Sequence, residues 1–310
     1  LSKDIPVSQF PAKLVLELRS LTRKYYDLTD ERSAHINKLK GDLHTVFPQY
    51  LDVFCDVTGK TSTMILRQYG TPDKILRGHK KTMIEKISKA SRKGLAKASE
   101  RYEKLCAAAN AAKTFGCQID SIYFNIFLTL DLVEKLDSAL DSILNRIRQL
   151  ITFNKNEKFI QQIKLLNTIP GVGFLTAVTI MCEIGDFSAF RNPKQLFAYF
   201  GLDPEVNESG KFVGTQLHMS KRGSRIARRA IFAVALASIR TKRNGEGINP
   251  YLRKYYELKS GQKPKMVAIG AVMHKVCNIV FAVLRDEKAF ELRSPEEHCK
   301  QYQRPALAAA

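Results

Sequence analysis

Ile119–Leu150, IDSIYFNIFLTLDLVEKLDSALDSILNRIRQL, repeats its apolar side chains every seven residues. Ile119, Ile126, Val133, Leu140 and Ile147 form one line, and Ile122, Thr129, Leu136, Ile143 and Leu150 follow each of them by three. Alternating steps of three and four hold side chains on one face of an α-helix. The stretch therefore predicts a long helix with a single packing seam, broken only by the polar Thr129. Asp131, Glu134, Asp137 and Asp141 lie off that seam. Carboxylates at such spacing can ligate a metal, but on a heptad helix they form a solvated face. A seam of this length needs a second long helix. Leu14, Leu18, Leu21, Tyr25, Leu28, Ile36, Leu39 and Leu43 step by similar intervals and supply one within the chain. A copy of the same helix in another subunit is the alternative.

Between these two helices, residues 48–61 hold Pro48 and Gly59 and read as a loop. Thr71-Pro72 opens a helical stretch, because proline is tolerated in a first turn. Residues 79–104 carry nine Lys or Arg against three Glu, with Gly94 placed to separate two helices. That stretch is a solvated face or a secondary nucleic-acid contact. Downstream, Pro170-Gly171-Val172-Gly173 precedes an apolar run of helical length. Such a turn can be the centre of a helix-hairpin-helix, gripping a phosphate with the first amides of the second helix through Gly171 and Gly173, or an ordinary turn between core helices. A further apolar helix, QLFAYFGLDP, closes at Gly201 and Pro204, and the polar loop 205–219 follows with a short β-like excursion. SKRGSRIARRAIFAVALASI restarts a helix, capped by Ser220 or Ser224. Lys221, Arg222, Arg225, Arg228 and Arg229 crowd its start, and the arginines among them suit phosphate best. Ile226, Ala230, Phe232, Val234 and Leu236 commit the rest to a core. The last helix, KPKMVAIGAVMHKVCNIVFAVL, is apolar on most sides and reads as buried, with His274 a satisfied core histidine.

The chain has 50 Lys and Arg against 30 Asp and Glu, a formal net charge of +20 over 310 residues. That excess favours a polyanionic partner, most often nucleic acid. Six cysteines, Cys55, Cys106, Cys117, Cys182, Cys277 and Cys299, form no CxxC pair. Neither a zinc site nor a disulfide scaffold is expected from them, only reduced, mostly buried thiols in a cytosolic protein. No apolar run is read as long enough for a membrane span, so no membrane partner is expected.

Ser209 precedes Gly210 on the polar loop, about ten residues before the cationic helix start. It is either an ordinary surface residue or a reactive hydroxyl beside a phosphate backbone. GxSxG is absent and no Ser-His-Asp order is legible, so acyl hydrolysis has no support. Attack on a phosphodiester asks less of the neighbours, namely in-line positioning and charge neutralisation. The succession IPGVG, QLFAYFGLDP, ESG and MSKRGSRIARRAIF resembles the C-terminal domain of the insertion-sequence transposases related to the pilin-gene invertase, the DEDD-plus-serine, bridge-RNA-guided recombinases. The resemblance covers about 165–290. It implies that Ser209 is the strand-exchange nucleophile, forming a covalent phosphoserine link to DNA. It also implies that Ser220, Lys221 and Gly223 are the family's SK-x-G helix start, a DNA-contacting element. The family's other half is a RuvC-like domain whose three Asp and one Glu bind Mg2+. Its closing Asp-x-x-Asp-Ala helix has no counterpart here, and the chain starts at Leu1, so that half and its magnesium ligands are expected to lie outside this chain.

The expected architecture is mainly α. A long helical hairpin with coiled-coil character spans 1–164 and carries a basic helical insert at about 62–115. A compact helix-hairpin-helix-like transposase domain spans 165–290, and a mobile tail 291–310. Expected partners are double-stranded DNA, a structured guide RNA and a second copy of the chain through the long helices, in a bacterial cytoplasm at the nucleoid. The alternatives are a non-catalytic nucleic-acid-binding protein, an inactive transposase remnant, and a scaffold whose charge only keeps it soluble.

Overall fold

The computed structural model describes residues 12–115, 117–204, 208–209, 212–213, 219–294 and 296–297. Most of the 205–218 loop and nearly all of the tail after Ser294 lie outside the described residues. Among the described residues, apart from two two-residue strands, the fold is all-α. In chain order the helices are α1 (Lys13–Val46), α2 (Tyr50–Val53), α3 (Lys60–Gln68), α4 (Pro72–Arg77), α5 (Lys80–Ser91), α6 (Leu95–Phe115) and α7 (Asp120–Phe153). Then come α8 (Lys158–Leu166), α9 (Phe174–Ile184), α10 (Pro193–Tyr199), α11 (Arg225–Ile239), α12 (Pro250–Ser260) and α13 (Lys265–Asp286). The chain divides into two compact units, Tyr25–Ile143 and Leu1–Lys24 with Leu144–Ala310; α1 and α7 each contribute residues to both.

In the Tyr25–Ile143 unit the seam of α7 is buried as the heptad spacing requires. Ile126, Val133, Leu136 and Leu140 are all inside, and Thr129 is buried with them. Ile119 departs from the pattern: the helix begins one residue later at Asp120, which leaves Ile119 exposed. Leu28 of α1 packs on Leu136 and Leu140, so α1 partners the seam within this unit. Three of the four off-seam carboxylates are held in ion pairs. Arg32 pairs with Asp137, and Arg67 bridges Asp131 at 2.7 Å and Glu134 at 2.9 Å. Among the described residues, no three His, Cys, Asp or Glu side chains cluster as metal ligands do.

The stretch 48–61 is loop at 54–59, as expected, but also holds the short α2 and the first residues of α3. Pro48 stands just ahead of α2, and Gly59 is the N-cap of α3, so both residues bound helices instead of breaking one. Tyr50, fully buried, ties α2 to α3 by donating its hydroxyl to the Ser62 carbonyl at 3.0 Å. In the basic insert α5 ends at Arg92, Gly94 precedes α6, and the two helices pack on each other.

In the other unit α13 is central, packing on α8, α10, α11 and α12. It is long and apolar enough to cross a membrane, which corrects the reading that no such run exists. His274 and Lys275 interrupt a strictly apolar count. Ten of its side chains, from Ala268 to Leu284, are nevertheless buried, as befits a helix surrounded by others. His274 is half-buried, edge-on to Phe197 with ring centroids 4.6 Å apart. Burial, then the neighbouring Lys275 charge, lowers its pKa. On α11 the buried face is Ala227, Ala230, Ile231, Val234, Ala235, Ser238 and Ile239. Of the residues expected there, Ala230 and Val234 are inside, while Ile226, Phe232 and Leu236 are only half-buried. The strict three-and-four step selects 227, 231 and 235 instead.

Candidate nucleic-acid interface

The polar loop leaves the helical unit after α10 and returns to it before α11, and its two ends are fastened together. Asn192 caps α10, accepting from the Gln195 amide at 3.0 Å, and Pro193 fills the first turn. The helix stops at Phe200, fully buried, and Gly201 turns the chain with φ +64. Beyond it the outgoing and returning strands pair. The Ser220 amide donates to the Asp203 carbonyl at 2.8 Å, the Lys221 amide to the Gly201 carbonyl at 3.1 Å, and Pro204 and Met219 form an antiparallel bridge. Ser220 also donates its hydroxyl to the Asp203 carboxylate at 2.6 Å.

This closure depends on two missing side chains. A Cβ on Gly201 would lie 2.8 Å from the Arg222 nitrogen, and one on Gly223 would lie 2.6 Å from the Phe200 carbonyl carbon and 2.7 Å from the Gly201 nitrogen. These neighbours are backbone atoms, which cannot swing aside. Arg228 fastens the same crossing from α11, donating to the Phe200 carbonyl at 3.2 Å and the Gly223 carbonyl at 2.7 Å.

Farther out, strand β1 (Glu208–Ser209) pairs antiparallel with β2 (Phe212–Val213), Ser209 facing Phe212 across the pair. Ser209 is thus the last paired residue before the Gly210-Lys211 step. Its side chain lies outside the described residues.

The cationic start of α11 separates into two groups. Lys221, Arg222 and Arg225 are exposed, while Arg228 and Arg229 are half-buried. Lys221 has φ +54, a left-handed backbone that a residue with a Cβ adopts at a cost of about 1 kcal/mol. Ser224, not Ser220, is the N-cap, accepting from the Ala227 amide at 3.1 Å. The turn before α9 separates likewise. Gly171, φ +97, presses on α11, where its Cβ would lie 2.9 Å from the Ser238 nitrogen, and Ser238 donates its hydroxyl to the Pro170 carbonyl at 2.9 Å. Gly173 is the exposed N-cap of α9, with open space where a Cβ would stand.

Beneath the loop base lies a residue that sequence reasoning passed over. Glu183 is 2% exposed at the end of α9, and Arg23 of α1 grips its carboxylate with two bonds of 2.8 and 2.9 Å. Arg19 donates to the Cys182 carbonyl at 2.7 Å, and the Tyr199 hydroxyl donates to the Glu183 carbonyl at 3.1 Å. Burial alone would raise the Glu183 pKa. Hydrogen bonds from Arg23 and Ser224, with the charges of Arg23 and Arg19, outweigh it and hold the carboxyl below its usual range. A carboxylate set against the first residues of α11 also suits the positive end of that helix. The available signal was Glu183 as the one charge in Phe174–Ile184. Its partner 160 residues away gives no such sign.

Residues 163–257 match the family model described as Transposase IS116/IS110/IS902 family. It is 23% identical over 286 residues to the insertion element IS110 uncharacterized 43.6 kDa protein of Streptomyces coelicolor, covering 91% of this chain and 66% of that one. It is 30% identical over 177 residues to the pilin gene-inverting protein of Moraxella bovis, covering 57% and 52%. It is 26% identical over 188 residues to the transposase for insertion sequence element IS1111A of Coxiella burnetii, covering 59% and 50%. The chain thus spans about half to two thirds of the length of these relatives.

Two outcomes test the geometry. Gly223→Ala should destabilise the fold by about 2 kcal/mol or more, because a side chain is forced into backbone; urea unfolding measures it. Glu183→Gln should cost about 2 kcal/mol at neutral pH through the lost charged hydrogen bonds. A carboxyl lowered in the folded state contributes its full stability above its unfolded pKa of about 4.3 and loses it as pH falls through the folded value. Thermal melts below about pH 4.3 should therefore fall more steeply for the wild type than for Glu183→Gln.

Proposed function

We propose that this chain, with its IS116/IS110/IS902-family domain, acts on double-stranded DNA in transposition or site-specific recombination, and that Ser209 is the nucleophile of strand exchange. The observation that carries the reading is the fastened loop base. It sets a short β-pair ending at Ser209 on the same excursion whose return leads directly into exposed Lys221, Arg222 and Arg225. A hydroxyl on a short paired arm and cations at its root suit a phosphodiester substrate, where positioning and charge neutralisation dominate catalysis.

In the step assigned to it, the Ser209 oxygen attacks a DNA phosphorus. A P–O bond to serine forms and a P–O bond to a deoxyribose breaks. The serine proton passes to a base, and the departing sugar oxygen takes up a proton. One phosphodiester replaces another, so the exchange is close to isoenergetic and reversible. Lys221, Arg222 and Arg225 would hold the phosphate, with Gly173 at the start of α9 as a second backbone contact. The resemblance implies Mg2+ held by carboxylates. The described residues offer no cluster that fits one, and no step is assigned to a metal here. A structured guide RNA is the proposed second nucleic acid, and the bacterial cytoplasm the proposed setting. Self-association through the long helices is proposed from the exposed Phe124, Leu128 and Leu132, which repeat every four residues along α7.

The gene carrying Ser209→Ala, expressed in cells beside a plasmid with the element ends, should lose recombinant junctions by at least about 10³-fold, as loss of a nucleophile does. Retention of the purified variant on DNA, and its melting temperature, should match the wild type. Junctions formed at the wild-type rate would remove the serine from the mechanism and leave a nucleic-acid-binding protein.

A further inference from the structure

The charge of the α5–α6 hairpin is distributed unevenly along its length. Near its base two cations meet acids: Lys80 bonds Glu103 at 2.6 Å and Lys104 bonds Glu100 at 2.8 Å. From Lys86 to Ser99 the sequence holds five cations and no carboxylate. Lys86 donates to Gln68 at 2.9 Å and lies over the Tyr69 ring. Lys89, Arg92, Lys93 and Lys97 are exposed around the turn, and none has an ion pair within 4 Å among the described residues. A face evolved only for solvation would be expected to show the i,i+4 pairs seen at Glu100.

The backbone at the tip adds a second observation. Arg92 closes α5 in the left-handed region, φ 52 and ψ 28. Glycine is the residue that takes this position without strain. The chain places its glycine two residues later, at Gly94, where φ is not left-handed. The turn is nevertheless braced. Ser88 donates its hydroxyl to the Lys93 carbonyl at 2.8 Å, and the Lys93 amide donates to the Ser91 hydroxyl at 3.3 Å. A long cation thus occupies a position that backbone energetics would assign to glycine, on a turn held in one shape.

We propose that the Lys89–Lys97 tip of the α5–α6 hairpin is a second nucleic-acid contact, gripping a phosphate backbone at a site separate from the serine loop. It lies outside residues 163–257, where the family domain matches. Lys93 and Lys97 line a surface cleft that also holds Asp52, Ser91 and Glu100, and exposed cations without a base-reading partner recognise phosphate rather than base identity. The partner's phosphates belong either to duplex DNA or to a folded RNA. The inference rests on the nucleic-acid reading above for its class of partner and not for the role of Ser209.

The test uses the full 310-residue chain. Binding to a duplex DNA and to a hairpin RNA of equal phosphate number is followed by fluorescence anisotropy between about 50 and 200 mM salt. The variants are Arg92→Gly, the triple change Lys89→Gln, Arg92→Gly, Lys93→Gln, and a loop-base control, Lys221→Gln with Arg222→Gln. The triple variant should shallow the log–log salt dependence by about two to three units, at roughly 0.9 per lost phosphate contact, on at least one nucleic acid. The nucleic acid on which it does so identifies the source of the phosphates. Arg92→Gly should weaken binding while its melting temperature holds or rises, a combination that a structural role for Arg92 does not produce. Unchanged slopes on both nucleic acids, with a shallower slope for the loop-base control, would overturn the tip contact and leave the recombinase reading standing. A fall in melting temperature for Arg92→Gly would overturn the tip contact too. Failure of the wild type to bind either nucleic acid would overturn both proposals.

Discussion

Gly201 and Gly223 let two backbone segments cross at a separation that no other residue type permits. Every other feature of the candidate site follows from that crossing. It brings the Lys221 amide to the Gly201 carbonyl and the Ser220 amide to Asp203, so a loop that departs from α10 comes back in register at α11. It offers the Phe200 and Gly223 carbonyls together to one guanidinium, that of Arg228. It also fixes where the chain re-enters the helix, and hence which cations face outward. Arg228 is turned to the crossing, while Lys221, Arg222 and Arg225 remain exposed.

The crossing rests on a buried charge. Glu183 receives Arg23 from α1 and Ser224 from the start of α11, and its main chain receives Tyr199 from the end of α10. An unpaired carboxylate in that position would cost several kcal/mol, whereas the paired one ties three helices to a single point. The arrangement has a consequence for phosphate binding. The first amides of α11 already serve Ser224 and lie near a carboxylate, so in the proposed function a phosphate there would be held by side chains. At the start of α9, by contrast, a Cβ on Gly173 would meet nothing within 4 Å.

Much of this was readable beforehand where a local rule determines the outcome. The heptad of α7 is a statement about one helix face, and burial of Val133, Leu136 and Leu140 follows from it. The glycine and proline positions marked the turns, with Pro48 just ahead of the short α2 and Gly59 closing the 54–59 loop before α3. On α11 the expected Ala230 and Val234 are buried, but Ala227, Ile231 and Ala235 take the places expected of Ile226, Phe232 and Leu236, because small side chains bury as readily as large ones. The Glu183–Arg23 pair was not legible, since nothing local links positions 160 residues apart. Neither was the division of the cation cluster. Five basic side chains look alike in sequence, and only the carbonyls left unpaired by the Gly201–Gly223 crossing decide that Arg228 turns inward.

The backbone crossing is tested most directly by hydrogen exchange at the Ser220 and Lys221 amides, resolved residue by residue. If the loop base is fastened as described, both exchange only through global unfolding, at the same free energy as the buried amides of α11. Exchange at rates typical of an open loop, with α11 still protected, would contradict the account, because the serine arm would then have no fixed root.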